Sequence, residues 1–154
     1  MTTVNDKTFV VLMAEDDEHD IIATKRAWKA CRMANPLHIV TNGEECLDYL
    51  ERRGAYADPA SSPRPGILLL DLNMPRMDGL ETLQHIRTSE RFHSLPVVIL
   101  TTSKAEEDRV RSYELGANAY IVKPIGFDTF SEAIRTINLF WNLAELPGGE
   151  HEKA

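Results

Sequence analysis

Asp71 closes an unbroken apolar run, Ile67-Leu68-Leu69-Leu70, and is followed by Leu72-Asn73-Met74-Pro75. Large aliphatics without polar alternation read as a strand buried on both faces. The carboxyl ends of strands in an open parallel sheet face the ligand crevice, so an Asp there meets solvent and substrate. Three more apolar runs end in polar groups. Phe9-Val10-Val11-Leu12-Met13-Ala14 gives way to Glu15-Asp16-Asp17-Glu18, Leu95 to Leu100 to Thr101-Thr102-Ser103, and Ala117 to Val122 to Lys123-Pro124. Adjacent acids repel unless they are solvated, cap a helix or share a cation, and hard ions such as Mg2+ take a few carboxylates plus water. Each strand end has a plainer reading: Asp17 or Glu18 at the N-terminus of the next helix, an ordinary strand-end Thr, a solvated Lys. Taken together they are complementary. Acids hold a metal and supply an oxyanion nucleophile, while a hydroxyl and an ammonium bind the oxygens of a transferred phosphoryl group. The set suits phosphoryl transfer onto Asp71.

The elements that must position these groups alternate along the chain. Strands are predicted near 8–14, 37–41, 66–71, 95–101 and 118–122, and helices near 18–34, 44–52, 79–90, 105–115 and 127–143. Strict alternation implies α/β architecture, a parallel sheet with right-handed crossovers. Asp78 is placed to cap the helix that begins at Gly79 or Leu80. The stretch 53–66, rich in Pro, Gly and Ser, is longer than such a connection needs and reads as an exposed loop. It enters the acceptor strand from the end opposite Asp71, as a spacer or a specificity contact. In the last helix Phe127, Phe130, Ile134, Ile137 and Trp141 form a core stripe, whereas Leu139, Phe140 and Leu143 point elsewhere. Either the core contact is wide and Leu146-Pro147 folds back, or the extra apolar residues form a homodimer face, which is the favoured expectation. Residues 1–8 are expected to be flexible, 9–143 to form one domain, and 144–154 to be a tail.

A chain of 154 residues fits one domain with a single good core. The formal net charge of −7 and the lack of a basic cluster argue against nucleic acid. No apolar stretch approaches the ~20 residues of a membrane span, and the segment from Met1 to Lys7 lacks a signal peptide's hydrophobic core, so a cytoplasmic location is expected. Cys31 and Cys46 have neither the spacing nor the number of a disulfide or zinc framework. His19, His38, His85, His93 and His151 show no ligand spacing and read as surface or capping residues.

From about Phe9 to about Trp141 the chain resembles the receiver domain of two-component response regulators. The resemblance rests on Glu15-Asp16, on Asp71-Leu72-Asn73-Met74-Pro75-Arg76-Met77-Asp78-Gly79, on Thr101, and on Lys123-Pro124. It implies a doubly wound, five-stranded (βα)5 flavodoxin-like fold with strand order 2-1-3-4-5. It implies that Asp71 accepts phosphate from a phosphohistidine on a sensor histidine kinase or phosphotransfer protein. Glu15, Asp16 and Asp71, with the backbone carbonyl of Asn73, would hold Mg2+; Asp17 follows at once and leaves the direct ligand open by one residue. Thr101 and Lys123 would contact the phosphoryl oxygens, Tyr120 would be the aromatic switch, and the Lys123–Pro124 bond would be cis. Asn73 and Ser103 occupy positions that tune the lifetime of the acyl phosphate. The family is one of signalling phosphoacceptors, which assist only their own phosphorylation and dephosphorylation. Phe140-Trp141 through Leu146-Pro147, the long loop, and Glu15-Asp16-Asp17 with Asp20 further resemble the single-domain regulators that partner phytochrome kinases. That likeness implies a light-responsive kinase as donor and a homodimer through the last-helix face, Phe127, Phe140 and Leu143 included.

Other classes fit less well. An aspartate-nucleophile phosphatase of the haloacid dehalogenase type resembles Asp-x-Asp, and here the second position is Asn73. A flavodoxin-like nucleotide binder needs a Gly-rich or hydroxyl-rich loop after its first strand, where this chain has four acids. A receiver-like scaffold that is never phosphorylated is the subtler rival, although all the expected site positions are filled.

Overall fold

Five short segments supply the strands: β1 Val10–Ala14, β2 Leu37–Val40, β3 Pro65–Asp71, β4 Val97–Thr101 and β5 Ala119–Val122. The helices between and after them are α1 Glu18–Ala30, α2 Gly43–Glu51, α3 Gly79–Arg87, α4 Lys104–Arg111 and α5 Phe127–Trp141. The structure is a computed structural model that describes residues 9–123 and 127–141, with side chains of α5 described for 130–137. All strands pair in parallel, in the order β2-β1-β3-β4-β5, which is the flavodoxin-like topology expected. β1, β3 and β4 hold the centre and are the runs without polar alternation.

The chain divides into two compact units, the sheet with α2, α3 and α4 in one, and α1 with α5 in the other. In the first, Leu12, Leu68, Leu70 and Ile99 of the strands cluster with Tyr49 and Leu50 of α2, Leu83 and Ile86 of α3, and Val110 of α4. In the second, α1 packs on α5. Ala27, Trp28, Phe130, Ile134 and Ile137 are buried, the Trp28 indole donates to the Asn35 carbonyl at 2.7 Å, and the Cys31 thiol lies 3.6 Å from the Ser131 carbonyl. The middle of the predicted α5 stripe is therefore buried. The side chains of Phe127, Phe140 and Trp141, and Leu143 entirely, lie outside the described residues, as does Pro124 with its expected cis bond.

Three helices end earlier than their apolar periodicity implied. After α1 the backbone of Arg32 turns left-handed, with φ 55°. After α4 both Glu114 (φ 51°) and Gly116 (φ 87°) do the same. At the end of α3 the Thr88 hydroxyl donates back to the Gln84 carbonyl at 3.0 Å, while the Ser89 hydroxyl accepts from Arg91 N–H at 3.1 Å and starts a separate turn. Side-chain hydrogen bonds of this kind compete with the helix ladder and are invisible to periodicity.

The long loop is more ordered than a spacer. It opens with a single 3-10 turn at Gly54–Tyr56. The Asp58 carboxylate accepts from Ala60 N–H at 2.9 Å and the Asp58 carbonyl from Ser62 N–H at 3.0 Å, an Asx-type turn. The Tyr49 hydroxyl donates to the Pro63 carbonyl at 2.7 Å, and the Tyr49 and Tyr56 rings pack 5.4 Å apart. Pro65 and Gly66, expected to lie in or at the edge of the loop, belong to β3.

The strand that ends in Asp71 is fixed from behind by the start of α3. Asp78 caps that helix, accepting from Glu81 N–H at 2.9 Å, and Gly79 N–H donates to the Leu72 carbonyl at 2.9 Å. A Cβ on Gly79 would overlap the Asp71 carbonyl oxygen and sit 2.8 Å from Leu72 Cα, both backbone atoms with no room to yield. Gly79→Ala is accordingly expected to destabilise the fold by about 1–3 kcal/mol, read as a lower midpoint in urea denaturation, whereas an unchanged midpoint would show that the β3–α3 junction is loose.

Candidate functional site

The parallel register delivers four side chains to one edge of the sheet. Asp71 is the last residue of β3 and pairs with Leu100, so Thr101 is the next residue along β4. Thr101 in turn pairs with Val122, and Lys123 N–H donates to the Thr101 carbonyl at 2.7 Å. At the end of β1, Glu15 N–H donates to the Val40 carbonyl at 2.9 Å.

Lys123 Nζ stands 2.9 Å from Glu15 Oε1 and 3.2 Å from Asp71 Oδ1. Glu15, Asp71 and Thr101 are 0 %, 2 % and 0 % exposed, so the ammonium bridges two carboxylates that water barely reaches. Burial pushes the Glu15 carboxyl up to about 7, against the opposing pull of Lys123 and with the Asp71 charge adding to the rise. Burial likewise raises Asp71, with Lys123 pulling the other way. One ammonium does not neutralise the acids around it. One oxygen from each of Glu15, Asp16 and Asp71 lies within 4.8 Å of the others. Glu15 Oε1 and Asp71 Oδ1 are buried and share the single Lys123 ammonium. Three clustered carboxylate oxygens facing one ammonium are the donor set of a hard divalent cation, so these residues fit Mg2+. The cluster takes in Asp16 and not Asp17, whose backbone N–H instead donates to Glu15 Oε2 at 3.1 Å and orients that carboxylate.

The remaining predicted residues flank this pocket. Among the described residues the Thr101 hydroxyl makes one long bond, 3.4 Å, to the Ser103 carbonyl, which a stronger acceptor would outcompete. Tyr120 pairs with Ile99, two residues before Thr101 on the same strand, and so shares its face of the sheet. The ring is half-buried, with the Arg111 guanidinium 4.6 Å from its centroid. Asn73 is exposed, and its amide donates to Glu106 Oε2 at 3.2 Å.

Three neighbours escaped the sequence reading. Glu106 accepts from Thr102 N–H at 2.7 Å and from its hydroxyl at 3.0 Å while holding Asn73, so it clasps the loops after β3 and β4 together. Glu107 is buried and meets Arg111 at 2.6 Å, which holds the guanidinium over Tyr120. In sequence these were ordinary charges on the solvent side of a helix, and only Ser103 as a cap, accepting from Glu106 N–H at 3.0 Å, hints that the first turn of α4 is fixed.

The family described as the response regulator receiver domain matches residues 11–135. The chain belongs to this family. Response regulator Rcp1 of Synechocystis is 35% identical over 132 residues, covering 86% of this chain and 88% of its own. Rcp1 has also been solved in a Mn2+-bound form, with a TM-score of 0.74 at 33% identity over 91% of this chain and 99% of that one. Response regulator RPA3017, described in red light signaling of R. palustris, superposes with a TM-score of 0.80 at 38% identity, covering 91% of this chain and 99% of its own. The bacteriophytochrome response regulator AtBRR gives 0.74 at 42% identity, over 90% and 97%. The receiver is thus related to regulators of phytochrome systems, and its acidic cluster is compatible with the divalent-cation pocket of the family. No described helix is long and apolar enough to cross a membrane.

The raised Glu15 carboxyl fixes the sign of a pH effect. A carboxyl at about 7 in the folded chain and near its ordinary 4.5 when unfolded keeps its proton longer in the native state. That contribution to stability is full below about 4.5 and is lost as pH rises through about 7. In EDTA, the melting temperature is expected to fall by several degrees between pH 5 and pH 8. Millimolar Mg2+ should raise it most at the alkaline end, because the ion binds the charged acids; a metal-free melting temperature that climbs across this range would contradict the buried cluster.

Proposed function

We propose that this receiver takes a phosphoryl group from the phosphohistidine of a sensor histidine kinase onto Asp71, with Mg2+ as cofactor, and that the kinase is of the phytochrome class. The observation that carries the reading is the buried Glu15–Lys123–Asp71 bridge with Asp16 beside it. It is a site short of positive charge, built around a carboxylate at a strand end. The likeness to Rcp1, RPA3017 and AtBRR supports the choice of donor.

In the transfer, a carboxylate oxygen of Asp71 attacks phosphorus in line with the departing imidazole. The P–N bond breaks, a P–O bond forms, and the histidine nitrogen leaves with the bond's electron pair. When bound, Mg2+ would be held by Glu15, Asp16, Asp71 and the Asn73 carbonyl and would neutralise charge on the phosphoryl oxygens. The chain's own part is positioning and electrostatics. Lys123 already lies against Asp71 and needs only a small shift to meet a phosphoryl oxygen. Glu15 holds Lys123 by its other side, so the amine stays in the pocket while Asp71 changes. No separate general base is required, because the nucleophile carries no proton once ionised.

Phosphorylation adds about −1.5 to −2 charges and three acceptor oxygens. The Thr101 hydroxyl then exchanges its long bond to Ser103 for a charge-assisted one, and the Tyr120 ring moves into the space Thr101 leaves. This biases an existing two-state equilibrium of the α4–β5 surface. On this reading the protein is a signalling acceptor, whose only chemistry is on itself.

Incubation with acetyl phosphate and Mg2+ is expected to add one phosphoryl group by intact mass, labile to hydroxylamine and absent in Asp71→Asn. An unmodified wild type would favour a scaffold, and sustained hydrolysis of free phosphoesters a phosphatase. Autophosphorylated bacteriophytochrome kinases should transfer to the chain within seconds, and unrelated kinases far more slowly; equal rates across the panel would remove the phytochrome assignment.

A further inference from the structure

The end of the sheet remote from Asp71 carries a second concavity. It opens beside the start of β3 and β4, has a volume of about 270 Å³, and is walled by Leu50, Leu95 and Pro96, with Phe92 among its lining. Arg64 and Arg91 line it too. Both guanidinium groups lie over the Phe92 ring, 5.5 and 5.2 Å from its centroid, and the ring itself is buried. Arg91 is paired with Glu51 at 3.0 Å. The Arg64 guanidinium has no ion pair and no hydrogen bond among the described residues. With one carboxylate set against two guanidiniums, the mouth keeps a net positive charge in a chain whose formal charge is −7.

Arg64 is placed there by the long loop. The Asp58 turn, the Tyr49 hydroxyl on the Pro63 carbonyl, and the buried Ser62 hold the three residues before it, and Pro65 locks into β3 directly after it. A connection that merely spanned α2 to β3 needs none of these bonds. The Phe92 ring holds the Arg64 guanidinium at the mouth, 5.5 Å from its centroid, and a guanidinium without a protein partner keeps the N–H fork with which arginine binds carboxylate or phosphate.

We infer that this cavity binds a compact organic oxyanion, a carboxylate or phosphate borne on a small apolar body, through Arg64 and Arg91. The size argues for a small molecule. The volume falls just below the range typical of drug-sized ligands, and the apolar walls suit a ring or short branched chain, not a run of peptide. The inference is independent of phosphorylation. β3 spans seven residues, about 20 Å at the rise of a strand, so the anion site and Asp71 occupy opposite ends of one strand.

The test uses the full 15N-labelled chain, stripped of metal and then freed of chelator by gel filtration, so that no metal recruits an anion at Asp71, titrated separately with benzoate, phenyl phosphate, inorganic phosphate and benzyl alcohol. Benzoate and phenyl phosphate should give saturable amide shifts at Gly66, Ser94 and Leu95, with inorganic phosphate weaker because it lacks the apolar body. Tighter phenyl phosphate would assign a phosphate ligand, and tighter benzoate a carboxylate. Arg64→Gln, an exposed substitution that leaves the core intact, should weaken both by about tenfold or more. Arg91→Gln should act in the same direction, and 0.5 M NaCl should weaken the wild type. No saturable shift with either organic anion, equal affinity for benzyl alcohol, or an affinity unchanged in Arg64→Gln would each overturn the assignment. Binding of a glutamate-rich peptide where both small anions fail would also overturn it, in favour of a protein partner.

Discussion

The site rests on an electrostatic imbalance that the fold creates and does not itself resolve. Glu15 and Asp71 are almost fully removed from water, and Lys123 is shared between them at 2.9 and 3.2 Å. An isolated ionised carboxylate in such a place is prohibitive, so the group either keeps its proton or finds a cation. Both responses are visible here: the Glu15 carboxyl is pushed up to about 7, and Asp16 stands close enough to complete a three-oxygen cluster. A parallel sheet is what makes the arrangement rigid. Asp71 ends a strand and Glu15 and Lys123 lie one residue past theirs, with neighbours that fix the register, so only the exposed Asp16 depends on the turn after β1.

The loops beside this cluster are tied to one another. Glu106 joins Thr102 to Asn73, which couples the chain after β4 to the chain after β3. Burial pushes the Glu106 carboxyl up, but its hydrogen bonds from Thr102 and Asn73 outweigh that and hold it below its ordinary value. It stays charged as an acceptor over the physiological range. Glu107 is held low as well, first by Arg111, and Arg111 covers Tyr120. A cation over an aromatic face is worth about 0.5–1 kcal/mol at an exposed site. That is enough to favour one orientation of the ring and too little to lock it.

The sequence made the Asp71 end of the sheet largely legible, for a physical reason. A carboxylate after four aliphatics, an acid pair after another apolar run, and Thr101 and Lys123 after two more are local patterns, and the parallel fold converts strand ends into neighbours. The cap by Asp78 followed from the same local logic, whereas the strand order came only with the resemblance to the receiver family. What stayed hidden was set by long-range partners or by side chains turning on their own backbone. Arg32 and Glu114 end helices with left-handed backbones that no periodicity announces. Glu106 and Glu107 read as solvated charges until α4 is seen against the loops it meets. Arg64 looked like one more polar residue in a Pro-rich stretch, because its partner ring, Phe92, lies far along the chain.

The two ends of the sheet are opposite in sign, acids and a lysine beyond Asp71 at one, arginines beside Phe92 at the other. Over the ~20 Å that β3 spans, solvent-exposed charges are screened at physiological ionic strength, where the Debye length is about 8 Å. A charge change at Asp71 is therefore felt weakly at Arg64 through space. Any coupling must be mechanical, carried by β3 itself, whose central residues Ile67, Leu68, Leu69 and Leu70 are fully buried. Packed cores are bistable and not continuously deformable, so such coupling needs a second discrete packing of the strand between the two ends. Without such a second packing, the two sites share a strand and titrate independently.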